Sequence, residues 1–299
     1  MSVSRLQEVL DSGKFAVTAE IGPPRSAETG RLREMARMLR GSAHAFNLTD
    51  NQAANVRMSS IASSVICLQE GLEPVMQMTC RDRNRIAMQS DVIGASALGI
   101  RNVLCISGDH QTFGNHPQAK NVYDLDSIQE LMVLRNLTKG TNWSGEALPE
   151  PPQLYLGAAS NPFADPFEFR VTRLGKKVDA GAQFVQTQCV LDVERFKRFM
   201  SLAVERGLHE KVHIIAGVIP LRSHKAALFM KNKVAGMSVP DELVDRLRKA
   251  SDPREEGIKL CVETMNELSS IEGVHGVHIT AIAWEDIIPR LVNESGLRP

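Results

Sequence analysis

The sequence predicts an α/β protein, a single-domain (β/α)8 barrel over residues 1–299, and three observations carry that prediction. Eight short β-branched or apolar runs recur along the chain, and all but the seventh, which ends at Pro220, close on a polar residue. The runs lack period-2 alternation, the pattern of parallel strands buried on both faces. Helical patterns separate them at roughly 30–40 residues per unit, the repeat of a βα barrel. A doubly wound sheet is the alternative, but no G-x-G-x-x-G fingerprint follows the first run.

In chain order the candidate strands begin with FAVTAE (15–20), AFNLTD (45–50), GLEPVMQMT (71–79) and GIRNVLCISGD (99–109). QLYLGAASN (153–161), GAQFVQTQ (181–188), GLHEKVHIIAGVIP (207–220) and GVHGVHIT (273–280) complete the set. The glycines that open many of these runs stand where a preceding helix ends in a left-handed residue. The first run stops at Gly22-Pro23-Pro24. Proline fixes φ and has no amide to donate, so the strand must end there and the stiff turn aims Glu20. Two stretches read as long loops: 110–121, rich in Gly, Asn, Gln and His, and 141–152, which contains SGEALPEPP. A third segment, 234–257, extends the seventh βα unit, with a helical core over 242–250 that ends at Ser251-Asp252-Pro253.

Bulk composition excludes several classes of function. Acidic and basic side chains balance at 35 each, so no net field draws nucleic acid or an anionic membrane. The five cysteines, at 67, 80, 105, 189 and 261, show neither a C-x-x-C pair nor metal-ligand spacing. They read as reduced thiols of a cytoplasmic protein. No run approaches the ~20 apolar residues of a membrane span, and the N-terminus lacks a signal-peptide core. His110 and His116 flank one loop without a third ligand nearby, so no metal site is expected.

In a barrel the C-terminal strand ends share one rim, where catalysis is done. That rim would gather Glu20, Thr49-Asp50, Thr79, Ser107-Gly108-Asp109, Ser160-Asn161, Gln188, Pro220 with its loop, and Thr280. Any one polar strand end is explained by a wet loop. A set of hydroxyls, amides and three carboxylates around one opening is a candidate site. Gly108 lets the backbone approach a bound ring with Asp109 over it; alternatively Asp109 caps the next turn. RVTRLGKK (170–177) sets Arg170, Arg173 and Lys177 at i, i+3 and i+7 on one helix face. That face either holds a diphosphate by charge-assisted hydrogen bonds or meets solvent. In RDRNR (81–85), Asp82 reads as the N-cap of the third helix.

AEIGPP, NLTDN, MTCRDRNR, CISGD, LGKKVDAGAQFVQTQCVLDVERF and AGVIPLRS together resemble the methylenetetrahydrofolate reductases, from about Phe15 to the C-terminus. The DAGAQFVQTQ segment followed by DVERF is the most specific of these. The resemblance implies a TIM barrel that holds FAD at its C-terminal rim and reduces 5,10-methylenetetrahydrofolate to 5-methyltetrahydrofolate. NADH or NADPH would recharge the flavin. Glu20 matches the general acid, which protonates N10, opens the five-membered ring and leaves a 5-iminium cation to accept hydride. Desolvation by the bound pterin would keep its proton in place. Asp109 matches a residue between pterin and flavin, able to bind both and stabilise the cation. Gln188 and His224 match folate contacts. Thr49, Gln77, Ser107, Gly108, Tyr123, Asn161, Asp165, Arg170, Arg173, Lys176 and Lys177 match cofactor contacts.

Four positions depart from the enterobacterial pattern: Ser107 stands for an Arg, Gln77 for a His, His224 for an aromatic and Trp284 for an Arg. Relatives of this kind also include partner-subunit, ferredoxin-linked and flavin-free forms. A homo-oligomer and a non-catalytic folate-binding barrel are further readings.

Overall fold

The computed structural model describes residues 2–234 and 236–299, in which eight parallel strands close into a barrel in chain order. They are β1 (Ala16–Ile21), β2 (Ala45–Leu48), β3 (Pro74–Thr79), β4 (Asn102–Ile106), β5 (Tyr155–Ser160), β6 (Phe184–Cys189), β7 (His213–Val218) and β8 (Val274–Ile279). Each falls on the run expected for it. β8 returns to β1 from Ala16↔Gly276 to Ala19↔Ile279, so no edge is left unpaired.

Local chemistry sets the helix starts. Asn84, rather than Asp82, caps the helix Arg85–Ala97, accepting from the amides of Ile86 and Ala87. Asp82 instead pairs with Arg81 at 2.6 Å, because the adjacent guanidinium is the stronger donor. Asp126 and Gln129 form a capping box on Ser127–Thr138. The 110–121 loop holds one 3-10 turn, Gln111–Phe113, and 141–152 only an isolated Thr141↔Ala147 bridge. Within 234–257 lie Asp241–Lys249 and the start of Pro253–Leu268; Ala235 is outside the described residues.

The barrel interior is filled from the bottom upward. Leu6 and Leu10 of the helix Arg5–Asp11 stopper its N-terminal end, spaced i and i+4 on one face. Above them Val75, Leu104, Tyr155, Phe184 and Ile215 pack together. The Tyr155 and Phe184 rings stack with centroids 5.0 Å apart. Gly157 makes that stack possible, since a Cβ there would stand 2.2 Å from the Phe184 ring. Gly157→Ala is therefore expected to destabilise the fold by about 1–3 kcal/mol through overpacking. Urea unfolding measures it, and an unchanged midpoint would mean the ring moves aside freely.

The outer face of the sheet is covered by the helices, with Met76, Met78, Val103, Leu131, Phe196 and Phe199 among the buried contacts. All five cysteines are free and buried. Burial raises the Cys67 and Cys189 thiols to about 12, which leaves them unreactive near neutral pH. Among the described residues no helix is long and apolar enough to cross a membrane.

Candidate active site

A cavity of about 430 Å³ opens at the C-terminal end of the barrel. Glu20 of β1, Asn47 of β2, Gln77 of β3, Ser107 beyond β4, Asn161 beyond β5, Gln188 of β6 and Thr280 beyond β8 line it. Period-2 geometry explains which strand residues reach inward. Thr18 and Glu20, Gln186 and Gln188, and His278 and Thr280 are i, i+2 pairs, so each pair shares a face of its strand.

The lower member of each pair builds a polar floor. Asn47 Nδ2 donates to Gln186 Oε1 at 2.6 Å, and Gln186 Nε2 donates back to Asn47 Oδ1 at 3.1 Å. His278 Nδ1 lies 2.9 Å from the Thr18 hydroxyl and 3.4 Å from Gln186 Nε2. When both neighbours donate to Nδ1, the ring proton lies on Nε2; when Thr18 donates to the Val277 carbonyl, its oxygen can accept from Nδ1 instead. His278 Nε2 is 4.0 Å from Glu20 Oε2, and the Glu20 side chain is 21% exposed. A carboxyl group thus stands at the cavity wall with an imidazole nitrogen facing it from below.

The opposite wall is cationic. Arg170, Arg173 and Lys177 project from the helix Phe167–Ala180 into the cavity. Lys177 Nζ donates to the Ala159 carbonyl. Burial, reinforced by Arg173, lowers its pKa to about 8. Arg170 spends its guanidinium on the carbonyls of Ala164 and Asp165. Among the described residues, Arg173 and Lys177 form no ion pair, so the wall suits an anionic group.

Of the residues expected at the site, Glu20, Gln77, Ser107, Asn161, Arg170, Arg173, Lys177 and Gln188 meet in this cavity. Seven others do not line it. Asp109 is exposed; its Oδ2 accepts from the Ala53 amide at 2.9 Å and its carbonyl from Arg81 at 2.8 Å. It braces the turn Gln52–Ala54, where Asn51, Ala53 and Ala54 hold φ of 47°, 53° and 54°. Left-handed non-glycine residues are costly, and an amide-to-carboxylate bond offsets part of that cost. Gly108 brings the backbone close to Thr79, with a Cβ position only 3.0 Å from it. Thr49 is buried and donates to Gln52. The Tyr123 hydroxyl is 3.5 Å from the Gly108 carbonyl. Asp165 pairs with Arg195 at 3.0 Å, Lys176 lies 6.0 Å over the Phe169 ring, and His224 opens the helix His224–Lys233.

The expectation of three carboxylates around one opening is corrected by Asp50. It is buried and accepts from the Thr79 amide at 2.9 Å, the Thr79 hydroxyl at 3.0 Å and Arg83 at 2.6 Å. Its charge clamps the end of β2 to β3 and is not offered to a ligand. The floor residues Thr18, Asn47, Gln186 and His278 were not singled out from the sequence. Their signal is a polar side chain in the middle of an otherwise apolar strand.

Fold and site place the chain among (β/α)8 barrels that carry a polar cavity at the C-terminal rim, the face on which barrel enzymes work. The family model for methylenetetrahydrofolate reductase matches residues 5–296, and the chain belongs to that family. A 5,10-methylenetetrahydrofolate reductase of Salmonella typhimurium is 24% identical, with 96% of this chain and 93% of that protein aligned. Methylenetetrahydrofolate reductase (NADH) 1 of Arabidopsis thaliana is 23% identical over 93% of this chain but 48% of its own length. The chain spans about half the length, or less, of the plant, fungal and nematode relatives it matches. Among solved structures, an uncharacterized Clostridium thermocellum protein that binds two copies of 5-methyl-5,6,7,8-tetrahydrofolic acid shares the fold. The TM-score is 0.68 at 16% identity, covering 98% of this chain and 99% of that one.

Proposed function

We propose that the chain reduces 5,10-methylenetetrahydrofolate to 5-methyltetrahydrofolate, with Glu20 as the general acid. The observation that carries this reading is Glu20 itself: a carboxyl group on the cavity wall, held in β1 opposite Asn47 and faced by His278 Nε2. Membership of the family and the folate bound by the Clostridium thermocellum neighbour support the substrate class.

On this reading Glu20 delivers its proton to N10, the C–N bond to the methylene carbon breaks, and the positive charge is left at N5. The carboxylate that remains is stabilised by the imidazole N–H of His278. Gln188 and the floor amides supply donors and acceptors that orient the pterin. FAD, when bound, supplies the hydride that converts the methylene carbon to a methyl group. Arg173 and Lys177 would hold its diphosphate, and Gln77, Ser107 and Asn161 would contact the remainder. Asp109 remains a proposed pterin and cofactor contact, reached by release of the Ala53 amide.

The Lys177 ammonium gives this assignment a pH signature. With a pKa near 8, Lys177 is cationic below that value and neutral above it. Affinity for FAD is therefore expected to fall by severalfold as pH rises from about 7 to 9. Fluorescence titration reads it directly, and Lys177→Gln removes the slope. An unchanged affinity across that range would detach Lys177 from the diphosphate.

The functional reading is tested by oxidation of 5-methyltetrahydrofolate with an artificial acceptor, together with the visible spectrum of the purified protein. Turnover with bound FAD is expected; absence of both folate binding and turnover sinks the reading. Thr49, Gly108 and Tyr123 stand outside the cavity lining, and this favours a second reading, hydride transfer directly from a reduced nicotinamide. A colourless protein that turns over without added FAD would select it.

A further inference from the structure

A cavity of about 770 Å³ opens at the N-terminal end of the barrel, opposite the rim that carries Glu20. The helix Arg5–Asp11, the residues that lead into β1 and β2, and residues 296–299 surround it. Arg5, Lys14 and Arg298 bring three cationic side chains to its lining. Glu8 and Pro299, with the terminal carboxylate, line it as well. Among the described residues neither acid comes within ion-pair distance of these cations, whereas Arg33 and Arg37 share Glu70 at 2.7 and 2.8 Å. Three positive charges against two negative ones leave the cavity cationic.

A buried imidazole, His44, meets the same cavity from the barrel side and is only 5% exposed. Its Nδ1 accepts from the Val17 amide of β1 at 3.0 Å, and its own amide donates to the Val17 carbonyl at 2.8 Å. The ring is therefore fixed. Burial lowers its pKa, and the nearby charges of Arg5 and Lys14 lower it further, so the imidazole is neutral near pH 7. With Nδ1 an acceptor, the single ring proton lies on Nε2. Among the described residues Nε2 has no hydrogen-bond partner, and the cavity is the space the ring borders. A neutral N–H donor beside a guanidinium and an ammonium suits phosphoryl oxygens, which offer three strong acceptors and negative charge together.

We propose that this cavity binds a phosphate-bearing small molecule, with Arg5, Lys14 and the His44 Nε2–H donating to its phosphoryl oxygens. The site is separate from the Glu20 cavity and stands whether or not the folate reading does. Its volume lies in the range of small-molecule sites and exceeds what a lone phosphate fills. Free phosphate and a phosphate ester present the same oxygens, and the test separates the two sources.

The test measures dissociation constants of the protein for inorganic phosphate, AMP and acetate, by titration calorimetry at low salt. The unmodified protein is compared with the double variant Arg5→Gln/Lys14→Gln and with Arg173→Gln, which alters the cationic wall of the first cavity. Arg5 and Lys14 are exposed, so the fold tolerates their replacement, and circular dichroism verifies it. Phosphate and AMP are expected to bind the unmodified protein, and the double variant should weaken both by about tenfold or more. Arg173→Gln should leave both affinities within about threefold, since Arg173 lies at the other end of the barrel. AMP binding severalfold tighter than phosphate assigns an ester whose remainder fills the cavity, and equal affinities assign free phosphate. No binding of either probe at millimolar concentration, or binding that survives in the double variant, overturns the site. A loss confined to Arg173→Gln puts the phosphate in the first cavity and overturns it as well. Acetate binding as tight as phosphate overturns the phosphate assignment.

Discussion

Replacing Glu20 by Gln is expected to lower turnover by about 10²–10⁴-fold while folate still binds within severalfold of the unmodified protein. The amide has nearly the shape of the carboxyl group and can still face His278 Nε2, but it has no acidic proton to give to N10. Glu20 belongs to β1, whose Thr18 is anchored to the floor through His278 at 2.9 Å, so the substitution leaves the wall in place. The loss should appear in kcat, because the proton moves only in the step that opens the ring. Binding is measured separately, by equilibrium titration with 5-methyltetrahydrofolate. Unchanged turnover in Glu20→Gln would remove Glu20 from the mechanism. A loss of binding equal to the loss of turnover would make it a substrate contact.

Asp50→Ala should cost about 3–5 kcal/mol of folding stability, the range for breaking one partner out of a buried ion pair. The Asp50 and Arg83 side chains are 1% and 13% exposed, and their atoms meet at 2.6 Å. Removing the carboxylate strands most of the Arg83 charge, leaving it Asp91 at 2.9 Å. It also takes the acceptor from the amide and hydroxyl of Thr79, the last residue of β3. Asp50→Asn keeps an acceptor for Thr79 and is expected to cost less than the alanine. Urea unfolding ranks the two variants; a loss below about 1 kcal/mol for Asp50→Ala would mean that water reaches Arg83 and replaces the ion pair. The same clamp holds the end of β3, two residues beyond Gln77 in the cavity wall, so a weakened clamp should also loosen the site.

How far the site could be read in advance depended on where each partner lay. Glu20 was legible because its cause is local: two prolines follow within four residues and stop the strand at a known point. The cationic face of 170–177 was legible because helical spacing alone puts Arg170, Arg173 and Lys177 together. Asp50 and Asp109 look just as available in the sequence, each at the end of an apolar run. Their partners come from afar: Arg83 lies 33 positions after Asp50, and Ala53 lies 56 positions before Asp109. Asp82 was misread as a cap for a smaller reason, since Asn84 two residues on is also a good cap and Arg81 competes for Asp82.

By itself the sequence determined the barrel. Eight runs buried on both faces, punctuated at the helix ends and without a G-x-G-x-x-G after the first, favour a closed parallel sheet over a doubly wound one, and the barrel closes as expected. The sequence also placed Glu20 at a strand end and gathered Arg170, Arg173 and Lys177 on one helix face, but left that face open between a ligand and solvent; the structure turns it into the cavity. Closure of the barrel decided the rest. Thr18, Asn47, Gln186 and His278 come from four strands, and Thr18 and His278 are 260 positions apart. Hydrogen bonds at about 3 Å across a barrel interior depend on strand register and tilt, which no local run of residues encodes. The same closure sent the Asp50 carboxylate to a guanidinium and left the Glu20 carboxyl facing the cavity.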